Sequence, residues 1–119
     1  MDGVPIFNMI RHCLGGAYIE GFEGILNSTS NIILTGMESG KSFEECLKKA
    51  QDVGITEADP SGDIDGWDAA VKAAALATVV SAGAASASSP GPYEWLKSIP
   101  RDSIRNVTSE MVQIGRAHV

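Results

Sequence analysis

The sequence predicts an α/β fold, with helices laid over a sheet in one small domain. Three observations carry that expectation. The chain has 119 residues, 44% of them hydrophobic, which is enough for one core and too little for two. Apolar residues recur at helical intervals in several stretches. Between two of those stretches, residues 17–26 alternate with a period of two, as a half-buried strand does.

The elements follow in order. Ile6, Met9, Ile10 and Cys13 share one helical face, and Gly15-Gly16 supplies a stop, so a first helix is placed over Pro5 to Leu14. From Ala17 to Leu26, Tyr18, Glu20, Phe22 and Gly24 alternate with Ala17, Ile19, Gly21, Glu23 and Ile25, and the segment is read as a strand. Asn27-Ser28-Thr29-Ser30-Asn31 is rich in helix-capping side chains, and Ile32, Ile33 and Met37 form the apolar stripe of the helix that follows.

Ser42 and Glu45 have the spacing of a capping box, with Phe43, Cys46, Leu47 and Ala50 at i, i+3, i+4 and i+7. That predicts a helix over Ser42 to Val53, ended by Gly54. Thr56 to Gly66 holds Pro60, Gly62 and several acids without periodicity, an ordered loop. Trp67 to Val80 is Ala-rich and should be the most buried helix, its small side chains allowing close approach to a neighbour. Ser81 to Pro92 reads as a flexible connector. Tyr93 to Leu96 suits a short helical turn before Pro100, and the stretch to Gln113 fits no single pattern. Trp67, Phe22 and Tyr18 are assigned to the core.

Composition removes several classes of function. A net charge of −6 and a pI near 4.7 give no basic face for nucleic acid. No apolar run approaches the length of a membrane helix, and no basic segment followed by an apolar one opens the chain as a secretion signal. Cys13 and Cys46 are too few and too isolated for a disulfide framework or a zinc site, so no metal is assigned. The expectation is a reduced, cytoplasmic protein, in which the N-x-S/T sequons at Asn27 and Asn106 are coincidental. No G-x-G-x-x-G or Walker-type glycine loop occurs.

The chemistry is concentrated between Glu57 and Lys72. Glu57, Asp59, Asp63, Asp65 and Asp68 fall within a dozen residues and repel one another, so water, a cation or a cationic substrate group must compensate them. Lys72 stands four residues past Asp68, on the same helical face. The pair is either an exposed ion pair or a binding acid beside a proton-moving lysine, and spacing alone does not choose. A calcium loop fits poorly. Started at Asp63, its fifth ligand position is Trp67 and its glycine comes too early; started at Asp59, the required glycine is Ile64.

The run Ala50-x3-Gly54-Ile55-Thr56-x2-Asp59-Pro60-x2-Asp63-Ile64-x-Gly66-x-Asp68-x3-Lys72 resembles the signature of homoserine dehydrogenases. Gly24 to Leu34, Gly3-Val-Pro-Ile6 and Arg101 to Val112 resemble further stretches of that family. The resemblance implies an oxidoreductase interconverting L-aspartate 4-semialdehyde and L-homoserine with NADP or NAD, in the aspartate pathway to threonine, methionine and isoleucine. It also implies a mixed sheet covered by helices, here truncated at both ends, and a homodimer for the full-length enzyme.

By the same resemblance Glu57 holds the substrate ammonium, and Asp63 and Asp68 complete the polar site. Lys72 is the proton donor to the carbonyl oxygen. Thr29, with the backbone of Ser28, makes a further substrate contact. These roles suit the physics. An amino-acid substrate brings a cation for Glu57, and an aldehyde being reduced develops oxyanion charge that a lysine ammonium can stabilise and protonate. Thr29 can equally be only a helix cap. Asp59 is read as a turn former and Asp65 as solvated, both outside the site.

The departures matter as well. Residues 1–113 are read as part of a catalytic domain whose Rossmann domain is absent, leaving cofactor-binding residues unassigned and the fragment inactive alone. Asn27-Ser28-Thr29 replaces the Asn-Gly-Thr frequent in the family. The segment corresponding to a monovalent-cation site is reduced to Met1-Asp2. Residues 114–119, Ile-Gly-Arg-Ala-His-Val, can be encoded by ATC GGA AGA GCA CAC GTC, which resembles a sequencing-library adapter read in frame, and are expected to be a tail foreign to the fold. A substrate-binding or regulatory module without dehydrogenase activity is the alternative reading.

Overall fold

The computed structural model describes residues 4–83 and 90–117, and every regular element among them is a helix. The expected mixed sheet is therefore corrected to an all-helical arrangement. Residues 17–26 are extended in pattern only. No second strand among the described residues takes up their backbone N–H and C=O groups, and alternation makes a strand only where a partner completes the ladder. Without a sheet to cover, Tyr18 and Phe22 are 81% and 46% exposed rather than in the core.

The described residues of 25–69 and 101–119 form one compact unit, and those of 1–24 and 70–100 form another. In the first unit, α2 (Ser28–Glu38) begins at Asn27, whose Oδ1 accepts from the Ser30 N–H at 2.7 Å. α3 (Phe43–Asp52) carries the predicted capping box. Ser42 Oγ accepts from Glu45 N–H at 3.2 Å, and Glu45 Oε2 accepts from Ser42 N–H at 2.9 Å. Gly54, at φ +75°, ends the helix and turns the chain back.

The segment expected as a loop contains a single helical turn, α4 (Ser61–Ile64). Pro60 fixes φ before it, and Asp59 Oδ1 accepts from both the N–H (3.1 Å) and the hydroxyl of Ser61, an Asx turn that starts the helix. α5 (Trp67–Gly83) follows. The stretch that fitted no pattern supplies α7 (Ser109–Ala117), whose start is capped by Thr108 Oγ1 accepting from Met111 N–H at 3.2 Å.

The core of this unit is built on α2. Ile33 and Met37, four residues apart, pack with Phe43 and Cys46 of α3 and Ile64 of α4, while Leu34, Leu47, Ile104, Val107 and Val112 close over them. α2 and α3 approach tightly at Gly36, where an added Cβ would lie 2.7 Å from Cys46 Sγ. Val112 brings α7 onto the same core, and Ser109 Oγ donates to the Lys41 carbonyl at 2.6 Å.

In the second unit, α1 (Ile6–Asn8) runs into a π-helical stretch at Met9–Cys13, so the predicted first helix is present but widened in its second half. α5 contributes buried Ala70, Ala74, Leu76 and Val79, as its Ala-rich sequence predicts. It runs past Val80 to Gly83, three residues into the expected connector, whose residues 84–89 lie outside the described ones. The predicted turn at Tyr93 is α6 (Pro92–Ser98), opened by Pro92 and carrying Lys97 Nζ 4.4 Å over the Tyr93 ring.

Candidate active site

The acids come together through the turns on either side of α4. Ile55 N–H donates to the Ala50 carbonyl at 2.9 Å, folding the chain back over the end of α3. Gln51 Nε2 then donates to the carbonyls of Glu57 and Ala58, at 3.2 Å each, which fixes the backbone that carries Glu57. On the far side of α4, Gly66 at φ +78° turns the chain into α5 and puts Asp68 in its first turn.

The result is a pocket of about 410 Å³ walled by Ile55, Thr56, Glu57, Asp59, Gly62, Asp63 and Asp68. Glu57, Asp63 and Asp68, all singled out in the sequence, face one cavity. Asp59, expected outside the site, is also on its wall, while still forming the turn that starts α4. Its carboxyl lies below the ordinary value of 3.8, chiefly because of the Ser61 hydroxyl and then the Ser61 N–H. Four carboxylates around one open cavity make a strong cation-attracting field.

Two neutral side chains hold the acids. Asn27 Nδ2 donates to Asp63 Oδ1 at 2.7 Å and to Asp68 Oδ2 at 2.8 Å, and Thr56 Oγ1 donates to Asp63 Oδ2 at 3.3 Å. Ser30 Oγ adds a bond to the Asp63 carbonyl at 3.2 Å. Asn27 and Thr56 are themselves buried. In the sequence Asn27 stands out only as part of a capping cluster. Thr29 and Ser28 are not among the pocket walls: both sit in the first turn of α2, Thr29 buried and Ser28 exposed. Asn27, and not Thr29, caps the helix. Lys72 is half-buried on α5, one helical turn beyond Asp68.

Asp65 points elsewhere and is not simply solvated. Arg105 Nε and NH2 donate to its two oxygens at 2.8 and 3.1 Å, and Ser103 Oγ donates at 2.7 Å. Arg105 first, and Ser103 second, push its carboxyl down to about 2. Beside it, the Arg101 guanidinium lies 3.8 Å over the Trp67 ring. Trp67, expected in the core, is 49% exposed, because it serves as a platform for this cation.

Among the described residues no three His, Cys, Asp or Glu side chains converge as a metal site. The sequence has no G-x-G-x-x-G, and the described residues contain no strand leading through a glycine turn into a helix.

Comparison with known proteins gives consistent matches. Residues 5–118 match the family model described as homoserine dehydrogenase. The NAD(+)-dependent homoserine dehydrogenase of Pseudomonas canavaninivorans is 47% identical over 77 residues, covering 65% of this chain and 22% of that protein. The homoserine dehydrogenase of Sulfurisphaera tokodaii is 51% identical over 77 residues, covering 65% of this chain and 25% of that protein. The crystal structure of a homoserine dehydrogenase from Thiobacillus denitrificans superposes with a TM-score of 0.80 at 33% identity, over 98% of this chain and 25% of that one. The chain thus spans about a quarter or less of the length of these proteins.

Proposed function

The chain belongs to the homoserine dehydrogenase family, and we propose that its acidic pocket is the part of such an enzyme that holds the amino-acid substrate. The single observation that supports this is the convergence of Glu57, Asp63 and Asp68 on one cavity. L-Homoserine and L-aspartate 4-semialdehyde both carry an ammonium group, and charge-assisted bonds to carboxylates are the strongest short contacts such a group can make. Glu57, on the backbone that Gln51 fixes, receives the ammonium, and Asp63 and Asp68 complete its surroundings. Thr29 and Ser28 remain candidates for a further substrate contact.

Lys72 is the acid that protonates the carbonyl oxygen when the aldehyde is reduced, and the base that takes the hydroxyl proton in the reverse direction. A nicotinamide cofactor, NAD or NADP, would supply the hydride. The reaction belongs to the aspartate pathway toward threonine, methionine and isoleucine, in a cytoplasmic enzyme whose full-length form is a homodimer.

Calorimetry tests the substrate assignment. L-Homoserine should bind the chain, and 4-hydroxybutyrate, which lacks the ammonium, should bind at least about tenfold more weakly, given about 1.5–3 kcal/mol for hydrogen bonds to a charged group. Equal affinity for the two would remove the acids from substrate binding. In a full-length enzyme carrying this segment, Lys72→Ala should lower kcat far more than it raises KM. A change in KM alone would contradict proton transfer by Lys72.

A further inference from the structure

Asn27 is the residue on which the geometry of the acidic pocket turns. It is not on the pocket wall, yet each carboxylate it touches is. Its amide nitrogen serves Asp63 and Asp68, residues 36 and 41 positions away, at 2.7 and 2.8 Å, while its amide oxygen accepts from the Ser30 N–H at 2.7 Å and starts α2. The residue is 7% exposed, so water does not substitute readily for these bonds.

This division of labour is chemically specific. A primary amide has two N–H donors and one acceptor oxygen. The oxygen is committed to the helix N-terminus, which leaves both hydrogens for the two acids, one each. Two carboxylates drawn to one nitrogen are held close together against their mutual repulsion, each with an oxygen fixed in direction. No other short polar side chain does all three things. Asp lacks the donors, Ser and Thr have one hydroxyl hydrogen, and Gln is a methylene too long for the cap.

We propose that Asn27 is the positioning residue of the pocket: it sets the spacing of the Asp63 and Asp68 carboxylates and so presents them as a pair to a cationic substrate group. The proposal rests on the pocket being the ammonium site, and it adds a residue that acts through the acids without touching the substrate. It also ties the pocket to α2, because the same side chain that spaces the acids caps the helix carrying Ile33 and Met37 of the core.

The test separates positioning from folding. Ser and Asp are both good N-caps, so Asn27→Ser and Asn27→Asp keep the start of α2 while removing both amide donors. Asn27→Ser should stay folded with a melting temperature lowered by several degrees, and bind L-homoserine about tenfold or more weakly because the two part-buried carboxylates are no longer held at one spacing. Asn27→Asp brings a third carboxylate to the pair and should melt below Asn27→Ser at neutral pH, the gap closing in acid as the cluster is protonated. Side-chain amide NMR of the wild-type chain supplies a signature independent of ligand: both Asn27 amide protons should be shifted downfield and exchange slowly with solvent.

Unchanged homoserine affinity in a folded Asn27→Ser variant overturns the proposal, as do freely exchanging Asn27 amide protons. If Asn27→Ser fails to fold, the amide-proton signature decides alone. If the wild type does not bind homoserine, the reading of the pocket fails. The positioning of the two acids is then judged on the amide protons, so the two failures stay distinct.

Discussion

Arg105 and Asp65 lie forty positions apart in sequence, and their pairing makes a prediction about acid stability. The carboxyl of Asp65 is held down to about 2, first by the Arg105 guanidinium and then by the Ser103 hydroxyl, against an ordinary value of 3.8. A depressed carboxylate stabilises the folded state only when ionised. Its contribution is complete above the ordinary value and is lost as pH falls through about 2. Melting temperature measured from neutral to strongly acid pH should therefore decline in that window, and Arg105→Ala should flatten the decline. An identical acid limb in the variant would show that the pair adds nothing. At this scale the sequence was legible where function imposes a pattern. The acidic run and Lys72 stood out by their spacing, their roles came only with the resemblance, and family membership bears out the resemblance itself. Long-range polar partners were not legible. Nothing beside Asp65 points to Arg105, and Asn27 read as a cap because its cap role is local while its two acid contacts are not.

The turn between α4 and α5 shows how an element junction constrains a single position. Gly66 sits at φ +78°, and a Cβ there would meet Arg101 Cγ at 3.0 Å and the Asp102 carbonyl oxygen at 3.1 Å. Backbone strain and contact with main chain act in the same direction, so Gly66→Ala should cost about 1–3 kcal/mol in chemical denaturation. Because the same turn aims Asp68 into the pocket, homoserine affinity should fall with it. A variant as stable as the wild type would mean that the Arg101 segment moves aside freely. The capping box of α3 gives a cleaner local case: Ser42→Ala leaves the Glu45 N–H unsatisfied and should cost about 1 kcal/mol, measured the same way. No loss would show that water replaces the cap. This helix was legible because box, apolar stripe and terminal glycine all lie within thirteen residues. α4 was missed because four residues carry no periodicity, and α7 because its cap, Thr108, was not weighed as a start signal.

The sheet is the part of the whole molecule that the sequence misrepresented. A helix satisfies its backbone within itself, whereas a strand needs a partner from elsewhere in the chain, at any sequence distance. Alternation over residues 17–26 therefore promised a sheet that the described residues do not contain. The acidic pocket does not depend on one, since its walls and both side chains that hold its acids belong to residues 25–69. That independence leads to a prediction on the intact chain. L-Homoserine at a hundredfold excess over its Kd should stabilise the fold by about 2.7 kcal/mol, read as a rise in melting temperature. NADP or NAD added alone should leave the melting temperature in place, because the sequence carries no G-x-G-x-x-G to approach a pyrophosphate. A shift with homoserine and none with dinucleotide matches a substrate half that is formed before any cofactor arrives. A shift with dinucleotide alone would mean that helix ends or the loop after Pro100 build a nucleotide site unlike the glycine-rich one, and would move the division between substrate and cofactor into this chain.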